Sequence, residues 1–264
     1  MPVEAINQSA NSSAKTTEAA SCVASLCADG VSLAFGGQQV LKNIDLEVRS
    51  GQIAHLRGGN GSGKTTLLNI LSGFLKPDSG QIKLVIDNQP IDVLSHAPAT
   101  LARLGLARLW QDTRLFASMT VLENVLAASP RPLGISPVMS LLAYSRVQKQ
   151  EREFKHQAMT LLDMLGMADR AESTGERLSG GQAKRVAIAR MLQTGAEILL
   201  LDEPLAGLDK ESAVRLVEDL NLLADDTRKA MLIVEHNHDA ISPVCDISYT
   251  LENGFLRYEE HEGQ

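Results

Sequence analysis

The chain has 264 residues, 44% of them apolar and 22% charged, with a net charge of −7. That length suits one large domain or two small lobes, and the apolar fraction is enough to fill a core. The acidic balance argues against broad nucleic-acid affinity, which needs a basic patch or stripe, and no run approaches the roughly 18 apolar residues of a membrane-spanning helix.

Residues 1–27 are polar and lack a clear period, so they read as a flexible tail, with a folded domain over 28–258 and a short tail at 259–264. The start lacks the basic-then-apolar order of a signal peptide, so a cytoplasmic protein is expected. Cys22, Cys27 and Cys245 form no zinc spacing and leave an odd thiol, which points to reduced cysteines without a chemical role.

Alternating apolar residues between Val31 and Phe35, a Gly36-Gly37 turn, and alternation through Ile44, Leu46 and Val48 predict a β-hairpin. Phe35 either belongs to the core or stacks on an adenine ring. The apolar run Ile53–Leu56 then leads into GGNGSGKTT, which fits G-x-x-x-x-G-K-[ST] from Gly58. Its residues Gly58, Asn60, Gly61, Ser62, Gly63, Lys64, Thr65 and Thr66 form a phosphate cradle: backbone N–H groups converge on the anion, the helix N-terminus adds roughly half a positive charge, and Lys64 adds a whole one. Thr65 is placed to hold Mg²⁺. Leu67, Ile70, Leu71 and Phe74 have the spacing of one helical face, making the unit strand, loop, helix.

Lys76 to Gly80 is a turn before a strand whose residues Ile82, Leu84 and Ile86 share a face, suggesting an antiparallel layer. A short helix between His96 and Ala107 feeds a strand over Ala107–Trp110. That strand ends at Gln111, either a solvated cap or a group orienting water and magnesium near a γ-phosphate. Thr120 to Glu123 reads as a capping box, after which Pro130, Pro132, Gly134 and Pro137 break the chain. The apolar cluster between Leu133 and Tyr144 either packs a helical lobe, 112–177, or faces a partner. Phe154, Ala158, Leu161, Leu162 and Leu165 trace a further helix.

Leu178-Ser179-Gly180-Gly181-Gln182 heads another helix, and so makes a second anion site for which one nucleotide has no need. The run Ile198–Leu201 is a parallel strand buried on both faces that ends in Asp202 and Glu203, where ligands sit in open α/β sheets. Asp202 is suited to Mg²⁺ and Glu203 to polarising the attacking water. Asp209 is a natural N-cap for the helix carrying Ala213, Leu216, Val217, Leu220 and Leu223. The strand Met231–Val234 delivers Glu235 and His236 to the same edge, with His236 in reach of a γ-phosphate.

Taken in order, the loop at Gly58, Gln111, LSGGQ at Leu178, LLLDEP ending at Pro204, AGLD at Ala206 and His236 resemble an ABC transporter ATPase subunit over residues 28–258. The stretch from Ala107 to Val125 and the insert before LSGGQ resemble the branched-chain amino acid import ATPases. The resemblance implies an α/β P-loop NTPase fold with a RecA-like core, an antiparallel β layer and an inserted helical subdomain. It also implies ATP and Mg²⁺ as cofactors, with Thr65, Gln111 and Asp202 at the metal and Glu203, Gln111 and His236 in catalysis. ATP is expected between the cradle of one cassette, with Phe35 at the base, and Ser179, Gly181 and Gln182 of a second, identical or homologous cassette; Asp209 communicates across that interface. Transmembrane permease subunits would hold the cassette at the cytoplasmic face of the membrane, with a solute-binding protein if the system imports. An exporter of lipid or lipopolysaccharide, a soluble ABC protein and a module that binds without hydrolysing are the alternatives. The chain departs from the family pattern at Gly59, at Leu109-Trp110 and in its short end after Gly254.

Overall fold

The computed structural model describes residues 24–130 and 144–260. Strands β1 (Ala24–Phe35), β2 (Gln38–Arg49), β4 (Ser79–Ile86) and β5 (Gln89–Asp92) form an antiparallel sheet in the order β2-β1-β4-β5. The expected hairpin is β1–β2, and it turns at Gly36 and Gly37, whose φ of +56° and +86° match the primed turns that suit strand twist. Sequence polarity put the start of the fold near Ala28; instead residues 24–27 belong to β1, where Leu26 pairs with Val48 and with Leu84 and is fully buried. Four residues are too short a run to show a period when half of them face the core.

The second sheet has the order β10-β9-β3-β8-β7-β6. Here β3 is Ile53–Arg57, β6 Leu106–Leu109, β7 Ile198–Asp202, β8 Ala230–Val234, β9 Ile247–Glu252 and β10 Phe255–Glu260. From β9 through β6 all neighbours are parallel, and β10 returns antiparallel. Every residue of β7 and β8 is buried, which explains their continuous apolar runs.

Helix α1 (Lys64–Leu71) lies between the sheets, and Leu67, Leu68 and Leu71 share one core with Leu26, Leu41, Leu56, Leu200 and Leu232. Helix α2 (Pro98–Arg103) precedes β6. A second core on the far face gathers α3 (Val121–Leu126), α4 (Tyr144–Met164), α5 (Gly180–Gln193) and α6 (Lys210–Thr227) through Val125, Leu162, Ile188 and Leu220; α7 (His238–Ile241) follows β8. The Thr120–Glu123 capping box forms in both directions. Helices α3 and α4 fall within the stretch 112–177 expected to form a helical lobe, while the apolar cluster from Leu133 to Leu142 lies outside the described residues, as do Cys22 and most of the expected tails. Cys27 and Cys245 are free thiols.

Phe74 departs from expectation. Helix α1 ends at Leu71, Gly73 turns with φ +75°, and Phe74 is exposed, its ring edge-on to Trp110 at 5.0 Å between centroids. Among the described residues no helix is long and apolar enough to cross a membrane. Because Leu200 is fully buried in a strand paired on both sides, Leu200→Ala should lower the unfolding free energy by about 2–5 kcal/mol, read from denaturant titration.

Candidate active site

The loop after β3 is shaped by contacts that admit no side chain. Gly58 has φ +152°, and a Cβ there would sit 2.5 Å from the Leu251 carbonyl oxygen. Gly63 occupies the N-cap of α1 with φ +106° and brings no side chain to its first N–H groups. Those donors therefore face outward, ready for an anion. Gly59 has open space around its Cβ position, so the loop's shape does not depend on it. Lys64 is buried and curls back, its ammonium donating to the carbonyls of Gly58 at 2.8 Å and Gly59 at 2.9 Å. Burial pushes its pKa down, while the Glu203 and Asp202 carboxylates pull it back up.

At the carboxyl edge of the same sheet, three residues singled out from the sequence meet. Gln111 Nε2 donates to Glu203 Oε2 at 2.8 Å, and His236 Nε2 lies 3.3 Å from Glu203 Oε1. The Glu203 carboxylate is thus held at both oxygens. Its backbone has φ +49°, a region costing an L-residue about 1–2 kcal/mol, so the turn that presents this side chain is held there by its surroundings.

Asp202 is buried, and its Oδ2 accepts from Arg108 Nη2 at 2.9 Å. Arg108 Nη1 also donates to Asn69 Oδ1 at 2.7 Å and Ser72 Oγ at 3.2 Å, both near the end of α1. Its guanidinium lies 3.8 Å from the centroid of the Trp110 ring. Burial pushes the Arg108 pKa down, against the hydrogen bond and charge of Asp202. Thr65, Asp202 and Gln111 line a cleft of about 800 Å³ together with Arg108 and Trp110. Arg108 escaped the sequence reading; its signal is a lone charge inside the apolar strand Leu106–Leu109.

The second cradle is closed on itself. Ser179 Oγ accepts from the Gln182 N–H at 3.3 Å, and Gln182 Oε1 accepts from the Ser179 N–H at 3.0 Å. Neither the cleft beside Thr65 nor a second one of about 1150 Å³ beside Asn60, Gly61 and Ser62 is lined by Ser179, Gly181, Gln182 or Phe35. Phe35 is half-exposed at the hairpin turn. Asp209 caps α6 as expected, with Oδ1 accepting from the Ser212 N–H at 3.0 Å and Oδ2 from its hydroxyl at 2.9 Å; those hydrogen bonds hold its carboxyl below the usual range.

Residues 41–206, from β2 through the phosphate loop to the turn after Glu203, match the family model described as ABC transporter. The chain belongs to this family. As an ABC protein it is an ATPase, with the α/β cassette fold of that family. It is 34% identical to the high-affinity branched-chain amino acid transport ATP-binding protein LivG of Salmonella typhimurium, over 87% of this chain and 88% of that one. Among solved structures, the ADP conformation of an ATP-binding cassette of an ABC transporter aligns with a TM-score of 0.75 at 31% identity, covering 90% of this chain and 92% of the other. A dimeric ATP-binding cassette in a post-hydrolysis state, bound to ADP and Pi, aligns at 0.68 and 26% identity, covering 90% of this chain and all of that one.

Arg108 and Asp202 have side chains only 3% and 8% exposed, so removing one partner strands the other. Arg108→Met should cost about 3–5 kcal/mol of stability in urea unfolding, and the double variant Arg108→Met/Asp202→Asn should recover part of that loss.

Proposed function

We propose that this ABC ATPase is the ATP-hydrolysing subunit of an importer for branched-chain or related amino acids. The observation that carries the hydrolytic reading is the Glu203 carboxylate, held by Gln111 and His236 at the edge that also bears the uncapped α1 N-terminus. The solute class follows from the likeness to LivG over most of both chains.

In this reading Gly58, Asn60, Gly61, Ser62, Gly63, Thr65 and Thr66 receive the phosphates through backbone and hydroxyl donors. Lys64 leaves the loop carbonyls it now holds and turns its charge to the phosphate oxygens. Phe35, exposed beside the hairpin turn, stacks on the base. Glu203 accepts a proton from the attacking water, with Gln111 and His236 fixing its carboxylate. The Thr65 hydroxyl and the Asp202 carboxylate are hard oxygen donors on one cleft, a set suited to Mg²⁺ held by few protein ligands together with substrate phosphates. When bound, that ion neutralises charge on the β- and γ-phosphates. Arg108 engages Asp202 through Oδ2 only, and so fixes the carboxylate's orientation.

Two cassettes are proposed to close head to tail, so that Ser179, Gly181 and Gln182 of one meet the nucleotide in the cradle of the other, with Asp209 beside that contact. Support comes from the dimeric relative and from a second helix N-terminus that lines neither of the two clefts beside the phosphate loop. Permease subunits would receive the motion and hold the cassette at the cytoplasmic face of the membrane, with a solute-binding protein delivering the cargo.

Phosphate release is expected from purified protein with MgATP, and Glu203→Gln should lower kcat by about 100-fold or more while ATP binding persists and a dimer accumulates on size exclusion. A variant that hydrolyses normally would remove Glu203 from the role of base. Phe35→Ala should weaken ATP binding by about 1–3 kcal/mol in equilibrium titration, and unchanged affinity would exclude stacking. For the cargo, reconstitution with the permease in vesicles should show ATP-dependent uptake of leucine, isoleucine or valine; lipid movement outward instead would make the system an exporter.

A further inference from the structure

The turn that carries Glu203 is gripped by two buried charged side chains that the hydrolytic reading leaves without a role. The Ala206 N–H donates to the Glu203 carbonyl at 3.2 Å, closing a four-residue turn around Pro204. From one side Lys184 of α5 donates through Nζ to the carbonyls of Glu203 and Ala206, each at 2.8 Å. From the other, Glu235 accepts the Leu205 N–H on Oε2 and the His236 N–H on Oε1, both at 3.0 Å. Lys184 is 6% exposed and Glu235 5%. Behind them the buried His55 ring meets the Glu235 carbonyl at 3.1 Å.

Two ions withdrawn from water in this way carry a desolvation cost that neutral groups would avoid. Burial drags the Lys184 pKa down, and the charges of Glu235 and Glu203 oppose that shift. The ions make contacts that shorter neutral side chains would not: the ammonium takes two carbonyls and the carboxylate two amides, covering the polar backbone of the turn and reaching to His236. Lys184 also stands two residues beyond Gln182 on one continuous helix, whose first turn is the Ser179–Gln182 box.

We propose that Lys184 and Glu235 form a positioning clamp that sets Glu203 and His236 for hydrolysis and makes the N-terminal turn of α5 and the Glu203 turn one rigid unit. Neither residue touches nucleotide; both act through the backbone of the residues that do. The proposal rests on the reading of Glu203 as the base. It also gives the α5 terminus a physical path to the carboxylate: whatever presses on Ser179 and Gln182 displaces Lys184, and with it the Glu203 carbonyl. Because the phosphate cradle sits on a different loop, losing the clamp slows chemistry and spares ATP affinity.

The test compares Lys184→Met, Glu235→Gln and the double variant with the unaltered protein. Thermal unfolding establishes that each is folded, equilibrium titration with ATP without Mg²⁺ gives Kd, and phosphate release gives kcat. The clamp predicts that kcat falls tenfold or more in each single variant while Kd changes less than threefold. The double variant should lose less than the product of the two single losses, since both residues serve one device. If a single variant fails to fold because its partner charge is stranded, the double variant, which removes both charges, decides the question by the same split. Wild-type kcat in any folded variant overturns the proposal, and so does a loss of ATP affinity equal to the loss of kcat, the mark of a merely structural role. Glu203→Gln is run in parallel. If it is inactive while Lys184→Met is active, the clamp alone fails; if it is active, the assignment of the base fails and the clamp with it.

Discussion

The register of the central parallel strands is the constraint on which the rest of the structure depends. Leu56 of β3 lies opposite Val234 of β8, and Val234 opposite Asp202 of β7, so the three strands end in one row. Inside a sheet covered on both faces, a polar group has no water to turn to. At that row or just past it the chain becomes polar in all three strands: the Gly58 loop after β3, Asp202 and Glu203 at the end of β7, and Glu235 with His236 after β8. Leu109 of β6 pairs with Leu201 and adds Gln111 at the same edge. A slip of one residue would turn each strand's side chains to the opposite face and disperse the site.

What the sequence disclosed and what it withheld divide along the range of the contacts. The phosphate loop, the capping box at Thr120, the Asp209 cap and the buried runs of β7 and β8 depend on neighbours within a few residues, and all were legible; Ser179 to Gln182 was legible as a helix head but not as a self-closed box. Strand ends gave away Asp202, Glu203 and His236, since a carboxylate or imidazole at the end of an apolar run needs solvent or a polar partner there. Hidden were pairings between distant segments. Arg108 with Asp202 joins residues 94 apart, and Lys184 with the Glu203 carbonyl residues 19 apart. Their trace is a basic residue on an otherwise buried surface, which looks the same as an ordinary solvated charge until the fold is known. Glu235 was noticed for its place at the strand end, but nothing local tells that its carboxylate turns back to the Leu205 amide. Phe74 failed for the opposite reason: its helical spacing is right, and the helix stops three residues short.

The two helix N-termini that the sequence marks as anion sites differ in kind. At α1 the N-cap is a glycine without a side chain, so the donors of the first turn are open from the outset. At α5 the Ser179 and Gln182 side chains close on each other's backbone, a box that satisfies two of the donors at this end and leaves the Gly180 and Gly181 N–H groups to a ligand. An open terminus can receive a phosphate by itself. A self-capped one is stable while empty, as suits a surface that meets its ligand only when a second molecule brings it.

Trp110 is the chain's single tryptophan, and it lies under the Arg108 guanidinium, one bond from the residue whose amide holds Glu203. A cation over an indole face shifts its emission and its quenching, and that cation is tied to the carboxylate of Asp202. The protein therefore carries a native optical reporter wired to the charge balance of its own cleft, readable in the unlabelled chain from the empty state through each stage of occupancy.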